Sequence, residues 1–239
     1  MRSRSNFLGA LAFCCFAALS TSAQTTTDNS TERELARLAI EAHGGDKLRE
    51  MKTLIVTGTV NVTAAQFPQA LGGTFVTVFK GDKYRFELNS PLQAVKQVSD
   101  GRETSSSLQG GFTLPPVNRL GFLLLQRIGE PGFIVTALPE AKRKRKGFRV
   151  TSPEGFFTDF YLDDKTNQIR SFDSTYVVQG RTVTTSVELD RVKNVDGVLV
   201  PERYVQRFDM DQFTIYASFR AREIKVNTEV DDDVFSLGS

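Results

Sequence analysis

The chain has 239 residues, no tryptophan and a single histidine, His43, and both of its cysteines, Cys14 and Cys15, stand near the amino end. One histidine excludes a histidine-based metal cluster, and the early cysteines exclude a Cys–His pair in the body of the chain. A Ser–His–Asp arrangement would have to use His43, which falls at a helix end beside Gly44; a capping or surface histidine is the expectation. No Gly-Lys-Ser/Thr phosphate loop and no Gly-x-Ser-x-Gly elbow occurs. The acidic clusters Asp163-Asp164 and Asp231-Asp232-Asp233 lack calcium-loop spacing and read as turn and surface residues. The chain is therefore read as having no catalytic residue, no metal site and no cofactor. No apolar stretch beyond the first twenty or so residues reaches the length of about 18 needed to span a bilayer. The formal net charge is +2. Without Arg2 and Arg4 it is near neutral, which does not suggest attraction to nucleic acid.

Those two arginines begin the first feature that is present. Arg2 and Arg4 precede an apolar run from Phe7 to Leu19, and small residues follow up to Ala23. This is the layout of a secretory signal, 1–23, cleaved after about Ala23. A lipid-anchoring signal needs a small residue before the modified cysteine, and Phe13 stands before Cys14. Both cysteines leave with the signal, so the exported chain has no disulfide. About 215 residues remain, enough for one large β domain. Residues 24–30 are polar and Thr-rich and read as a disordered leader. The domain is 31–239, with no internal boundary.

Thr31 is placed to cap a first helix, with Leu35, Leu38, Ala39 and Ala42 on one face. Gly44-Gly45 should end it, and a short turn through Leu48 and Met51 leads onward. From residue 53 the pattern alternates apolar and polar residues. Leu54, Val56, Val60 and Val62 share one face of the first strand, with Ile55 an exception on the other. Ala64 to Gly73 reads as a loop. Further strands fall near 74–80, 83–89, 94–99, 102–108, 132–138, 147–152, 155–162, 168–178, 181–192, 198–208 and 213–226. Their short turns, such as Gly81-Asp82 and Asp100-Gly101, order them as a meander. The rhythm fails between Phe112 and Ile128, where Leu120, Phe122, Leu123, Leu124 and Leu125 crowd together. A short helix, apolar nearly all round, is expected there.

Two features invite a functional reading. Phe75, Phe79, Phe86, Phe156, Phe160, Phe213 and Phe219 give the sheet a greasy face with little to cover it, so they fill a core or line a ligand cavity. Lys142-Arg143-Lys144-Arg145-Lys146 lies between two strands. It either touches anionic lipid headgroups, at about 1 kcal/mol per charge, or is a solvated hairpin tip that blocks edge pairing.

Three short segments, taken in order, resemble a known family. They are Ala42-His43-Gly44-Gly45 running on to Thr57-Gly58, then Val195-Asp196-Gly197-Val198-Leu199-Val200-Pro201, then Val230-Asp231-Asp232-Asp233-Val234-Phe235. Their order and spacing resemble the bacterial outer-membrane lipoprotein-sorting proteins, LolA/LolB-like, over nearly the whole exported chain. The resemblance implies an incomplete antiparallel β-barrel with helices plugging the open side over an apolar cavity. It also implies a periplasmic carrier of the acyl chains of lipoproteins or other lipids. Its partners would be an inner-membrane donor and an outer-membrane acceptor, with transient membrane contact. Val56, Phe75, Phe79, Phe86, Leu88, Phe160, Phe213 and Phe219 would then line the cavity. Leu120, Phe122, Leu124 and Leu125 would form a lid that covers it when empty and shifts when loaded. The alternative is a non-catalytic structural or interaction module of the envelope with a solid core. A hydrolase of lipids or glycans is disfavoured by the poor stock of catalytic residues.

Overall fold

The computed structural model describes residues 29–64, 69–91, 94–108, 113, 116–178, 180–209 and 214–237. The expected export signal, most of the expected leader and Phe213 lie outside them. Helix α1 spans Ser30–Ala42; its N-cap position is Asn29, two residues earlier than Thr31, and the Asn29 side chain makes no capping bond. It buries Ala36, Ala39 and Ile40. Helix α2 is the single turn Asp46–Arg49, which buries Leu48.

The strands are β1 (Thr53–Ala64), β2 (Leu71–Lys80), β3 (Lys83–Asn89), β4 (Ala94–Ser99), β5 (Thr104–Ser106) and β6 (Ile134–Thr136). They continue as β7 (Gly147–Thr151), β8 (Phe157–Leu162), β9 (Ile169–Val178), β10 (Arg181–Val195), β11 (Val198–Asp209) and β12 (Thr214–Val226). All twelve form one antiparallel sheet in the order β5-β4-β3-β2-β1-β12-β11-β10-β9-β8-β7-β6. The chain thus enters and leaves at the middle of the sheet. The two edges, β5 and β6, are consecutive in sequence. The residues between them have to pass from one edge of the curved sheet to the other, across its open side.

That crossing segment carries the apolar stretch. It forms two short 3-10 turns, Val117–Arg119 and Gly121–Arg127, joined by Leu120 in extended conformation, where one short helix was expected. Gly121 takes φ +65°, and a Cβ there would meet the Phe172 ring at 2.8 Å. The expected loop 64–73 is shorter than the pattern suggested, because Leu71 already pairs with Val62. The Asp100-Gly101 hairpin is a wider turn, in which the Asp100 carboxylate accepts the N–H groups of Arg102 and Glu103 at 2.8 Å.

The segments behind the family resemblance have physical causes. His43 and Gly44 pack on the β10–β11 turn: the Leu199 N–H donates to the His43 carbonyl at 3.0 Å, and a Cβ on Gly44 would stand 2.6 Å from the Gly197 carbonyl oxygen. Gly58 sits at a bulge where the β1–β12 register shifts. A Cβ there would lie 2.1 Å from the Arg220 carbonyl oxygen and 2.8 Å from the Phe75 ring. Backbone cannot retreat as a flexible side chain can, so overpacking here is costly. Gly58→Val is expected to lower stability by about 2–3 kcal/mol, read as a drop of about 4–12 °C in Tm by calorimetry.

The third segment is a strap over the convex face. Val230 and Phe235 bury themselves against Val78 and Val98, with Ile55 and Val76 alongside. This explains Ile55, the apolar exception on the outer face of β1. Asp232 is not merely solvated: it pairs with Lys80 at 2.7 Å and Lys83 at 2.9 Å. Hydrogen bonds from these lysines hold its carboxyl down at about 2.

Candidate functional site

Cross-strand pairing assigns the concave face. Val60 opposes Phe219 and Val62 opposes Ala217. Phe75 opposes Leu88, Phe219 opposes Tyr204, and Tyr204 opposes Leu189. Paired residues in an antiparallel sheet share a face, so these side chains form one apolar wall. Phe75 and Phe219 meet edge to face at 5.1 Å, and Tyr204 stacks on Phe219 at 4.8 Å. Burial pushes the Tyr204 and Tyr176 phenols up, that of Tyr176 to about 12.

The two halves of the concave face differ. One half is packed by α1, α2 and the crossing segment. Leu124, Leu125, Ile40, Leu48, Phe148 and Phe160 are each 0% exposed there. The hollow expected from the greasy face is filled in this half. Along the other half, Val62, Leu88, Leu189, Tyr204 and Phe208 are only partly buried. This half-covered trough is the candidate site. Two clefts of about 320 and 560 Å³ lie elsewhere, beside the start of β1, lined largely by polar and charged residues such as Lys52, Lys47 and Glu229.

Of the expected lining residues, Leu88 is half-buried in the trough, and Phe75 and Phe219 are buried behind it, Phe75 opposite Leu88 and Phe219 opposite Tyr204. Phe86 is on the same face, opposite Thr77 and Gln97. Val56 is buried in the core, and Phe79 is partly buried against it. Phe160 lies in the filled half, between Phe148 and Phe172 at 5.3 and 5.9 Å. Phe213 lies outside the described residues. Val62, Leu189, Tyr204 and Phe208 are not in the expected lining, although the first strand's alternation already put Val62 on this face and the spacing of Tyr204 and Phe208 along β11 marks both.

Of the lid residues, Phe122, Leu124 and Leu125 are buried and Leu120 is half-buried. Polar bonds hold the segment in place. The Gln126 amide donates to the Leu48 and Met51 carbonyls at 2.8 and 2.9 Å. The Gly121 N–H donates to the Thr158 hydroxyl at 3.2 Å.

His43 is no surface residue; it is fully buried. Its Nδ1 lies 2.9 Å from the Leu199 carbonyl oxygen, and its Nε2 accepts the Ile169 N–H at 3.0 Å. An acceptor at Nε2 makes the imidazole neutral with its proton on Nδ1. Burial lowers its pKa, and the bond to Leu199 only partly opposes this.

The basic run folds back on the convex face. Lys142 bridges Asp159 and Asp173 at 2.9 and 2.8 Å. Arg143 donates to the Leu138 carbonyl, Arg145 lies 3.3 Å over the Tyr161 ring, and Lys146 bonds Asn167. The Lys144 side chain is exposed.

No known family's sequence profile matches the chain, and no curated protein sequence does. Solved structures do. The chain is similar to a LolA superfamily protein from Nitrosomonas europaea, with TM-score 0.54 and 11% identity, over 86% of this chain and 97% of that one. It is similar to a DUF1329 family protein from Desulfovibrio piger, with TM-score 0.52 and 10% identity, over 87% and 98%. It is also similar to a domain assigned to outer membrane lipoprotein sorting from Vibrio parahaemolyticus, with TM-score 0.50 and 11% identity, over 85% and 98%. An open twelve-stranded antiparallel sheet with short helices against its concave face is thus the fold this chain shares with that LolA superfamily protein.

Proposed function

We propose that this protein is a non-enzymatic periplasmic carrier that holds the acyl chains of lipoproteins or other lipids in the trough. The carrying observation is the half-covered apolar wall formed by Val62, Leu88, Leu189, Tyr204 and Phe208 beside a separate buried apolar segment. The fold shared with a lipoprotein-sorting domain supports this reading. Among the described residues no helix is long and apolar enough to cross a membrane.

Burial of an acyl chain gains about 0.8 kcal/mol per CH₂, so a chain of about 16 carbons gains roughly 12 kcal/mol. A membrane offers the same gain. A carrier must therefore bind nearly as well as the bilayer without greatly exceeding it. A trough beside a displaceable apolar segment meets that requirement, because exposing Leu124 and Leu125 offsets part of what the cargo gains. The structure corresponds to the closed, unloaded state in this reading. Donor and acceptor membranes would be met transiently, with the exposed Arg143, Lys144 and Arg145 of the basic run open to headgroups.

Titration with a fluorescent long-chain fatty acid tests the proposal. Leu88→Gln and Phe208→Gln are each expected to weaken binding about tenfold, because an aliphatic or aromatic contact is worth about 1.5–3 kcal/mol, with Tm nearly unchanged. Unaltered affinity in both folded variants would remove the trough from the proposal. The dense packing of the other half favours a second reading, the non-catalytic envelope module, which predicts no saturable binding by the wild-type protein.

A further inference from the structure

Two polar side chains stand in the otherwise apolar stretch of the trough wall. Tyr204 lies opposite Leu189 and Phe219, and Gln206 lies opposite Val187 and Ala217, on the same face of β11. Residues two apart along a strand are separated by about 7 Å, so the phenol and the amide can meet one group lying between them. Among the described residues neither has a hydrogen-bond partner. Both residues are half-buried, and neither contributes a wholly enclosed unpaired atom, so both polar groups face space that a ligand can enter. Stacking on Phe219 at 4.8 Å fixes the plane of the Tyr204 ring.

Charge and depth narrow the ligand. Three cross-strand rows run through Tyr204, Gln206 and Phe208 from β10 to β1, and no position in them is charged. A carboxylate or phosphate seated there would be desolvated with no cation to meet it. Burial pushes the Tyr204 phenol above its usual range, so it stays a protonated donor. A neutral carbonyl oxygen has two lone pairs for two donors and carries no charge to desolvate. Gln206 stands three residues inside the end of β11 at Asp209, a depth of about 10 Å. The half-buried Val62, Leu88 and Phe208 lie toward that same end, because β1, β3 and β11 run in one direction. A lipid entering tail first from there keeps a charged headgroup outside and brings the carbonyl of its linkage to Gln206.

We infer that Gln206 and Tyr204 are the specificity-determining pair of the trough. Their amide and phenol donate to the carbonyl oxygen of an ester- or amide-linked acyl chain, so the trough selects acylated lipids over ether-linked chains of equal length. The inference rests on the carrier reading and deepens it. A fatty acid probes the hydrocarbon wall alone.

Two lysolipids that differ only at the linkage test the pair: 1-hexadecanoyl-lysophosphatidylglycerol, an ester, and its 1-O-hexadecyl ether analogue. Each is used below its micelle threshold to displace the fluorescent fatty acid from the mature chain. The wild type is expected to prefer the ester about tenfold, which is what two ordinary net hydrogen bonds amount to. Gln206→Leu and Tyr204→Phe, which keep the shape of the wall, are each expected to cut the preference to about threefold, and the double variant to abolish it without weakening ether binding. A role in packing alone would move both lipids together. If Gln206→Leu fails to fold by circular dichroism, Gln206→Ala is measured in its place with the same expectation. Three results overturn the inference and leave the carrier reading standing: equal displacement by the two lipids, displacement by neither while the fatty acid still binds, or a preference undiminished in either folded variant. No saturable binding of the fatty acid or of either lipid overturns the carrier reading and the inference with it.

Discussion

His43→Ala is expected to cost about 3–5 kcal/mol of folding stability, and with it the chain's response to mild acid. The substitution leaves the Leu199 carbonyl and the Ile169 N–H buried without their partner, and each unsatisfied group costs about 1–3 kcal/mol. It also removes a ring that meets Phe122 of the crossing segment at 5.3 Å. His43 lies at the junction of α1, β9, β11 and that segment, so the loss reaches every element packed in the filled half. The pH response follows from the same geometry. Burial holds the folded-state pKa below the ordinary value of about 6.5. The contribution is complete above about pH 6.5 and is lost as pH falls through the folded pKa, with a slope of at most about 1.4 kcal/mol per unit. His43 is the only histidine, so the wild-type urea midpoint should fall between about pH 6.5 and 5 by this group's titration. His43→Gln should flatten that limb. A wild-type midpoint that stays level there would contradict the buried neutral imidazole.

Asp159→Ala is the second large effect, expected at about 2–3 kcal/mol. Asp159 is 0% exposed on the convex side of β8 and accepts from Arg149 at 2.6 and 3.0 Å and from Lys142 at 2.9 Å. Removing one partner of a buried pair costs about 3–5 kcal/mol. Here Arg149 and Lys142 keep 24% and 34% of their side-chain exposure, so water takes up part of the stranded charge. Lys144→Glu, two residues along the same basic run, should change stability by under about 0.5 kcal/mol. Urea unfolding of the two variants separates the roles: a basic run that is only a solvated tip would make them equal.

Much of the fold was legible because a one-faced sheet writes its pairing into a period of two. The segment boundaries of β3, β4, β8 and β9 followed from alternation and turn residues within a residue or two. The expected meander is present within β1–β5 and within β6–β12, but neither alternation nor the resemblance supplied the pairing of β1 with β12 or the break between β5 and β6. The site was less legible. A phenylalanine on the concave face looks the same in sequence whether it ends in the filled half, as Phe160 does, or in the trough wall, as Phe208 does. The choice depends on which strands the helices cover. His43 was misjudged for a related reason: a residue after a helix is usually wet, but here the β10–β11 turn closes over it. The pairs Arg127–Asp82 and Lys142–Asp159 join residues far apart in the chain, and no local pattern announces them.

The central claim is that hydrocarbon occupies the wall of Val62, Leu88, Tyr204 and Phe208. Photocrosslinking with a diazirine-bearing long-chain fatty acid, followed by peptide mapping, tests it most directly. The account predicts adducts concentrated in β1, β3 and β11 at those residues, competed away by unlabelled fatty acid. Adducts scattered over the convex face, or none that competitor removes, would contradict it.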